Sequence, residues 1–258
     1  MSRIGRVVGI SIAVAMAAAP NSAAERPEVM VYAAASLRDA LERLAPTCEG
    51  TADARLVFNF GASNDLARQI LAADKADVFF SADESWMDRV AEQGLVDAAS
   101  RRSLLSNRLV VVVPLDGPTN LSGPAALADP AIQRISLADP EAVPAGKYAR
   151  AWLEHTGQWE AVRGRIVPAL DVRAVLAAVE SGAVEAGVVY RTDAAISKKV
   201  RIAYEVPAGD GPRISYALAL LEDRPQHAAA QRVLDCLAGE QALRTFETFG
   251  FLVQGLAR

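Results

Sequence analysis

Four short stretches of the chain share one pattern: an extended apolar run, then small or capping residues, then the start of an amphipathic helix. They are Ala33-Ala34-Ala35-Ser36 ahead of Leu37, Gly61-Ala62-Ser63-Asn64 ahead of Leu66, Val143-Pro144-Ala145-Gly146 ahead of Tyr148, and Asp171-Val172-Arg173, which opens a helix running to Glu180. Ser and Asp are favoured N-caps. A first helical turn leaves backbone N–H donors unpaired and carries partial positive charge, so it attracts anions. Ala and Gly at such points let a guest approach the backbone closely. Ordinary capping explains any one of these turns alone. Four of them, two in each half of the chain, would converge on a single guest if the halves face one another. The donors would then be backbone N–H groups and serine hydroxyls, with no Arg or Lys required. Tyr190, at the end of an apolar run, would add a phenol; the alternative is a half-buried core tyrosine.

The same residues make a poor catalytic set. No G-x-S-x-G elbow surrounds Ser36 or Ser63, and no general base is apparent for an exported hydrolase built on either. His155 and His227 have no partner motif and read as surface residues. Two His and two Cys leave little for a zinc site. No phosphate-binding G-x-x-x-x-G-K-[ST] loop is present, so any ATP hydrolysis would belong to a partner. Trp86, Trp152 and Trp159 read as packing residues, and Arg101-Arg102 and Lys198-Lys199 as solvated faces.

The turns need a scaffold, and alternating strand and helix patterns supply it. Residues 29–33 form a short apolar run, followed by Leu37, Ala40, Leu41 and Leu44 at helical spacing. Leu56, Phe58 and Phe60 alternate as a strand, with Leu66, Ile70 and Leu71 on the helix after it. Residues 78–80 give a third strand, and Trp86, Met87, Val90 and Ala91 a third helix. This order implies an α/β fold with mainly parallel sheets flanked by helices. An unbroken apolar run at 109–113 ends in a loop from Pro114 to Pro124, and the alternation restarts. Strands are expected at 135–137, 187–190, 202–206 and 214–221, and helices over 148–153, over 172–179, around Ala230, Val233, Leu234 and Leu237, and around Leu243 and Phe246. Breaks near residue 107 and at the 207–212 turn divide the chain into a first lobe over 25–107, a second lobe over 108–212, and a return of 213–258 to the first lobe. Two crossovers of this kind leave a cleft suited to hinge closure.

The chain has 258 residues, of which 52% are hydrophobic and 22% charged. That is globular composition, with room for two lobes of roughly 100 residues each. A net charge of −4 argues against a nucleic-acid partner. Arg3 and Arg6 precede an apolar stretch at 7–19, and Ser22-Ala23-Ala24 fits a small-residue cleavage site, so residues 1–24 are expected to be a cleaved signal peptide. The apolar stretch is short for a membrane span, and no Cys follows it for lipid attachment. The expected product is an exported, periplasmic protein, and loss of the two arginines takes its charge to −6. An oxidising compartment permits a Cys48–Cys236 disulfide; two buried free thiols are the alternative.

The series VYAAASL, FGASNDLARQI, ADVFFSADESWMDRV, LADPEAVPAGKYA, DVRAVLAAVESGAVEAGVVY and FETFGF resembles, in order and over nearly the whole mature chain, the periplasmic molybdate-binding proteins of bacterial ABC importers. The resemblance implies a two-lobed type II periplasmic binding protein that is not an enzyme, has no cofactor, and holds molybdate or tungstate through uncharged donors. Carried over by motif, Ser36 and Ser63 would offer hydroxyl and backbone N–H, Ala145 and Val172 backbone N–H, and Tyr190 its phenol. Molybdenum would be held only as its oxyanion. A membrane permease would be the partner and the monomer the working form. A sulfate- or thiosulfate-binding protein of the same architecture is the alternative. Three departures from the family pattern stand out. Gly61-Ala62 precedes Ser63 where another hydroxyl residue is common. Asp65 follows Asn64 and is expected to cap its helix rather than face an anion. Arg191 follows Tyr190 where a small residue is frequent, and would lie at the cleft mouth. A pocket offering only donors disfavours hydrogen phosphate, whose O–H would find no acceptor. Little discrimination between molybdate and tungstate is expected.

Overall fold

The computed structural model describes residues 26–73, 75–117 and 121–254. The expected signal peptide at 1–24 lies outside the described residues, as do residues 118–120 of the loop after Pro114. The chain begins with strand β1 (Glu28–Ala34), a single 3-10 turn (Ala35–Leu37) and helix α1 (Arg38–Ala52). Strand β2 (Arg55–Gly61), helix α2 (Ser63–Ala73), strand β3 (Val78–Ser81) and helix α3 (Glu84–Ala91) repeat the pattern. Strands β4 (Arg102–Ser106) and β5 (Leu109–Pro114) follow. Next come β6 (Ile135–Ala138), α4 (Pro144–His155), the short α5 (Trp159–Val162), β7 (Ile166–Ala169) and α6 (Val172–Glu180). Strand β8 (Ala186–Tyr190), helix α7 (Arg191–Ile196) and strand β9 (Val200–Glu205) complete this run. The tail holds β10 (Tyr216–Leu220), α8 (His227–Ala238), α9 (Glu240–Thr248) and β11 (Leu252–Val253).

The strands form two sheets, ordered β11-β4-β10-β3-β1-β2 and β7-β6-β8-β5-β9. Each sheet is the core of one lobe. The chain leaves the first sheet after β4, builds the second with β5 to β9, and rejoins the first at β10. The α/β, two-lobed architecture stands, but the sheets are mixed rather than mainly parallel. Parallel pairing is confined to β1 with β2 and β3, and to β6 with β7 and β8. Those strands are joined by crossover helices, which parallel pairing requires. Strands β5, β9 and β10 lie next to the passages between lobes, and they pair antiparallel. Strands β4, β7 and β11 and helices α5 and α7 were not legible in the sequence. β4 carries only two apolar residues, and β7 contains Pro168, which is tolerated because β7 is an edge strand.

The register brings the site's turns together. Ala34 of β1 pairs with Gly61 of β2, and Ala33 with Phe80 of β3. Ala138 of β6 pairs with Ala169 of β7, and Ser136 with Gly187 of β8. The carboxyl ends of the parallel strands in each lobe therefore lie side by side, where ligands sit in open α/β sheets. Cys48 on α1 and Cys236 on α8 form a disulfide, with Cα atoms 5.6 Å apart. It ties the returning tail to the first helix of the same lobe. Trp86 and Trp152 are buried and Trp159 is half-buried, while His155, His227, Lys198 and Lys199 are exposed. Arg101 is not a solvated residue: it is held between Glu84 and Asp88.

A candidate anion site at the seam between the lobes

A small cavity of ≈ 20 Å³ (the space open to the centre of a water) lies between the lobes. That exceeds what a single water needs. The first lobe lines it with Ala34, Ala35, Ser36, Gly61, Ala62, Ser63 and Ala82. The second lobe lines it with Val143, Pro144, Ala145, Asp171, Val172 and Tyr190. All five residues singled out from the sequence, Ser36, Ser63, Ala145, Val172 and Tyr190, meet here, and all five are buried.

Four of them stand at helix starts. Ser36 lies in the 3-10 turn leading into α1, Ser63 is the first residue of α2, Ala145 the second of α4, and Val172 the first of α6. Their backbone N–H groups fall in the first turn, where no intrahelical acceptor exists. Small side chains around them leave the backbone accessible. Gly146 shows how tightly this is built: a Cβ there would fall 2.1 Å from the Ala138 carbonyl oxygen and 2.5 Å from that of Asp139. Only glycine lets the first turn of α4 sit on the end of β6.

The hydroxyls are arranged as donors toward the cavity. Ser63 Oγ accepts the Ala82 N–H at 2.9 Å, which leaves its own hydrogen free. Tyr190 Oη is fully buried and has no hydrogen-bond partner. Burial pushes its pKa well above the usual phenol range, so it keeps its proton. Among the described residues no Arg or Lys side chain lines the cavity. The one carboxylate in the wall, Asp171, caps α6 by accepting the Ala174 N–H at 2.9 Å. Asp65 is not the N-cap of α2: it lies inside the first turn, pairs with Arg68, and does not line the cavity. Arg191 stands away from the cavity wall, beside Gly250 and 3.7 Å from Glu205. Among the described residues no group of three His, Cys, Asp or Glu side chains is placed to hold a metal ion.

Polar contacts hold the lobes shut around this space. Trp86 Nε1 donates to the Ala142 carbonyl at 3.0 Å. Lys147 Nζ reaches Ser85 Oγ at 2.9 Å and Asp83 Oδ2 at 3.3 Å. Arg173 pairs with Asp39 across the seam and, through Nε at 2.8 Å, with the buried Asp193 of its own lobe. Burial raises the Asp193 pKa to about 7 against the opposing pull of Arg173, with Asp171 and Asp39 adding to the rise. The Tyr190 and Tyr216 rings lie 5.9 Å apart, and Tyr216 meets Phe251 edge-on at 5.5 Å. The sequence reading passed over Asn107, Asp193 and Tyr216. Their available signals were an isolated polar residue at the expected lobe boundary, an acid just after Tyr190, and a lone phenol in an otherwise apolar strand.

A family model for bacterial extracellular solute-binding proteins matches residues 29–252. The chain is 36% identical over 255 residues to the molybdate-binding protein ModA of Escherichia coli, covering 94% of this chain and 95% of that protein. A solved structure described as the substrate-binding domain of a putative molybdenum ABC transporter from Clostridium difficile is 29% identical, with a TM-score of 0.68 over 87% of this chain and 98% of that one. The periplasmic molybdate-binding protein of Azotobacter vinelandii shares the fold, with a TM-score of 0.78 at 22% identity over 88% of this chain and 100% of that one.

Proposed function

The chain belongs to the bacterial extracellular solute-binding proteins, and from that membership we propose that it captures molybdate, and tungstate equally, and delivers it to a membrane ABC permease. In this reading it is exported by cleavage of residues 1–24, works as a monomer in the periplasm, and performs no chemistry on its cargo. The observation that carries the reading is the wall of the seam cavity: neutral donors from both lobes, an unpartnered buried phenol, and no cationic side chain among the described residues. Such a wall suits a small, fully deprotonated dianion. Hydrogen bonds to a charged guest are short and about twice as strong as neutral ones. Closing the lobes removes water and strengthens each of these interactions.

Capture then works by population shift. An open form admits the anion, the donors of one lobe engage it first, and the guest favours the closed arrangement because only there do both lobes contribute. The permease would distinguish loaded from empty protein by that difference in shape.

The test is a titration with molybdate, tungstate, sulfate and hydrogen phosphate, followed by thermal unfolding and by tryptophan fluorescence, since Trp86 bridges the seam. A ligand present at about 100 times its Kd adds roughly 2.7 kcal/mol of stability, so the melting temperature should rise clearly with the first two anions. Ser63→Ala and Tyr190→Phe should each weaken molybdate binding by roughly ten- to hundredfold, the worth of one hydrogen bond to a charged group. A large shift with sulfate or phosphate and none with molybdate or tungstate would reject the assignment.

A further inference from the structure

We propose that Tyr216, backed by Asn107, is a specificity-determining positioning residue: it locks the Ser36 hydroxyl as a donor and so makes the site reject anions that carry a proton. The proposal deepens the function given above and rests on it. Asn107 lies between β4 and β5, where the chain passes from one lobe to the other, and it is buried. Its Oδ1 accepts the Arg108 N–H at 2.9 Å, which fixes the orientation of the amide. Nδ2 therefore faces Thr192 Oγ1 at 3.0 Å and Tyr216 Oη at 3.3 Å, and donates to both. Tyr216 arrives on β10, the strand that rejoins the first lobe, and is fully buried. Its Oη lies 3.0 Å from Ser36 Oγ.

The direction of that last bond follows from satisfaction of buried groups. Tyr216 Oη already accepts from Asn107, and its own hydrogen needs an acceptor. Ser36 Oγ is the acceptor that the described residues provide. If Ser36 donated instead, the phenol hydrogen would be buried without a partner. The relay thus runs from Asn107 to Tyr216 to Ser36, and the Ser36 hydrogen is left to point into the cavity that Ser36 lines. Across the first lobe's wall, the Ala82 N–H imposes the same polarity on Ser63. Serine hydroxyls are ordinarily free to rotate and can accept as readily as donate. Here each already accepts one protein hydrogen bond, so one lone pair is taken and its hydrogen remains for a guest, which favours a guest oxygen that only accepts over one that carries an O–H.

The experiment measures dissociation constants for molybdate and for hydrogen phosphate, in buffer alkaline enough to keep phosphate as its dianion, on wild type, Tyr216→Phe, Ser36→Ala and the double variant. Tyr216→Phe should weaken molybdate about tenfold and narrow the molybdate-over-phosphate ratio, because the freed Ser36 can turn to accept. In the double variant, Tyr216→Phe should add no further loss to that of Ser36→Ala, the mark of two residues acting through one bond. A phenol with a merely structural role would weaken both anions alike and add its effect to that of Ser36→Ala, and that result would overturn the proposal. If Tyr216→Phe does not fold, Asn107→Asp takes its place. It keeps the acceptor for Arg108 and reverses the relay, and its added charge weakens both dianions alike, so the ratio still reads the Ser36 hydroxyl; an unchanged ratio overturns the proposal. Wild type that prefers phosphate overturns the function itself, whereas wild type that prefers molybdate beside an unchanged Tyr216→Phe overturns only the relay.

Discussion

Asp193 is fully buried beside the seam, three residues beyond Tyr190, and burial pushes its pKa up to about 7 while Arg173 holds it down. Its charge also helps to raise the Tyr190 phenol, so it acts on the cavity wall. Below about pH 7 the carboxyl is neutral; above it, a negative charge stands near the place of a dianion. Molybdate is fully ionised across this range, so the pH dependence comes from the protein. Affinity is expected to be highest on the acid side of neutrality and to fall as pH rises through 7, and Asp193→Asn should flatten that profile. The empty protein should follow the same sign. A folded-state pKa raised above the ordinary 3.8 gives a contribution that is full below the unfolded value and lost as pH rises through the folded one. Isothermal titration across pH 6 to 9 checks the first expectation, and an identical slope in both proteins would contradict it. At this scale the four turns were readable, because small and capping residues at helix starts leave a pattern in the sequence, and Tyr190 as a phenol ending an apolar run; singling out Ala145 and Val172 within their turns rested on the family resemblance. Asp193, Asn107 and Tyr216 were not readable, since their partners are 20, 85 and 180 residues away and only the fold brings them together.

The elements set the wall's shape through backbone contacts rather than through the donors themselves. The first turn of α4 rests on the Ala138 and Asp139 carbonyls because residue 146 is glycine. Gly146→Ala must push that turn away, carrying the Ala145 N–H with it. Overpacking of this kind costs about 1–3 kcal/mol, and the expected result is a lower melting temperature together with molybdate affinity weakened by more than tenfold. Unchanged melting and affinity would mean that α4 is not held where the structure puts it. The VPAG motif made Gly146 visible, but its necessity became clear only from the packing of α4 on β6. The same limit applies to the strands. Apolar runs disclosed β1, β5 and β8, whereas β4 and β11 are strands because of where the chain returns, and nothing in their own residues says so. The sequence left the Cys48–Cys236 pairing open for the same reason: it depends on α1 packing against α8.

As a whole, the molecule is two lobes whose strand ends face each other across a shared seam. The Trp86–Ala142, Lys147–Asp83 and Arg173–Asp39 contacts bridge the two lobes around the cavity. Each couples closure to a side chain outside the wall, so the energy of closing is spread over the seam rather than carried by the guest alone. The two-lobed plan was legible in the two breaks of the strand–helix alternation. The mixed direction of the sheets was not, because strand direction at a crossover follows from which lobe the chain enters. The central claim is that a dianion is held at this seam by neutral donors from both lobes. Its most direct measurement is a crystal structure of the protein with molybdate, with the metal located by its anomalous scattering. The expected result is one peak in the seam cavity, its oxygens within hydrogen-bond distance of Ser36, Ser63, Ala145, Val172 and Tyr190. A peak elsewhere, or an anion held by Arg or Lys side chains, would contradict the claim.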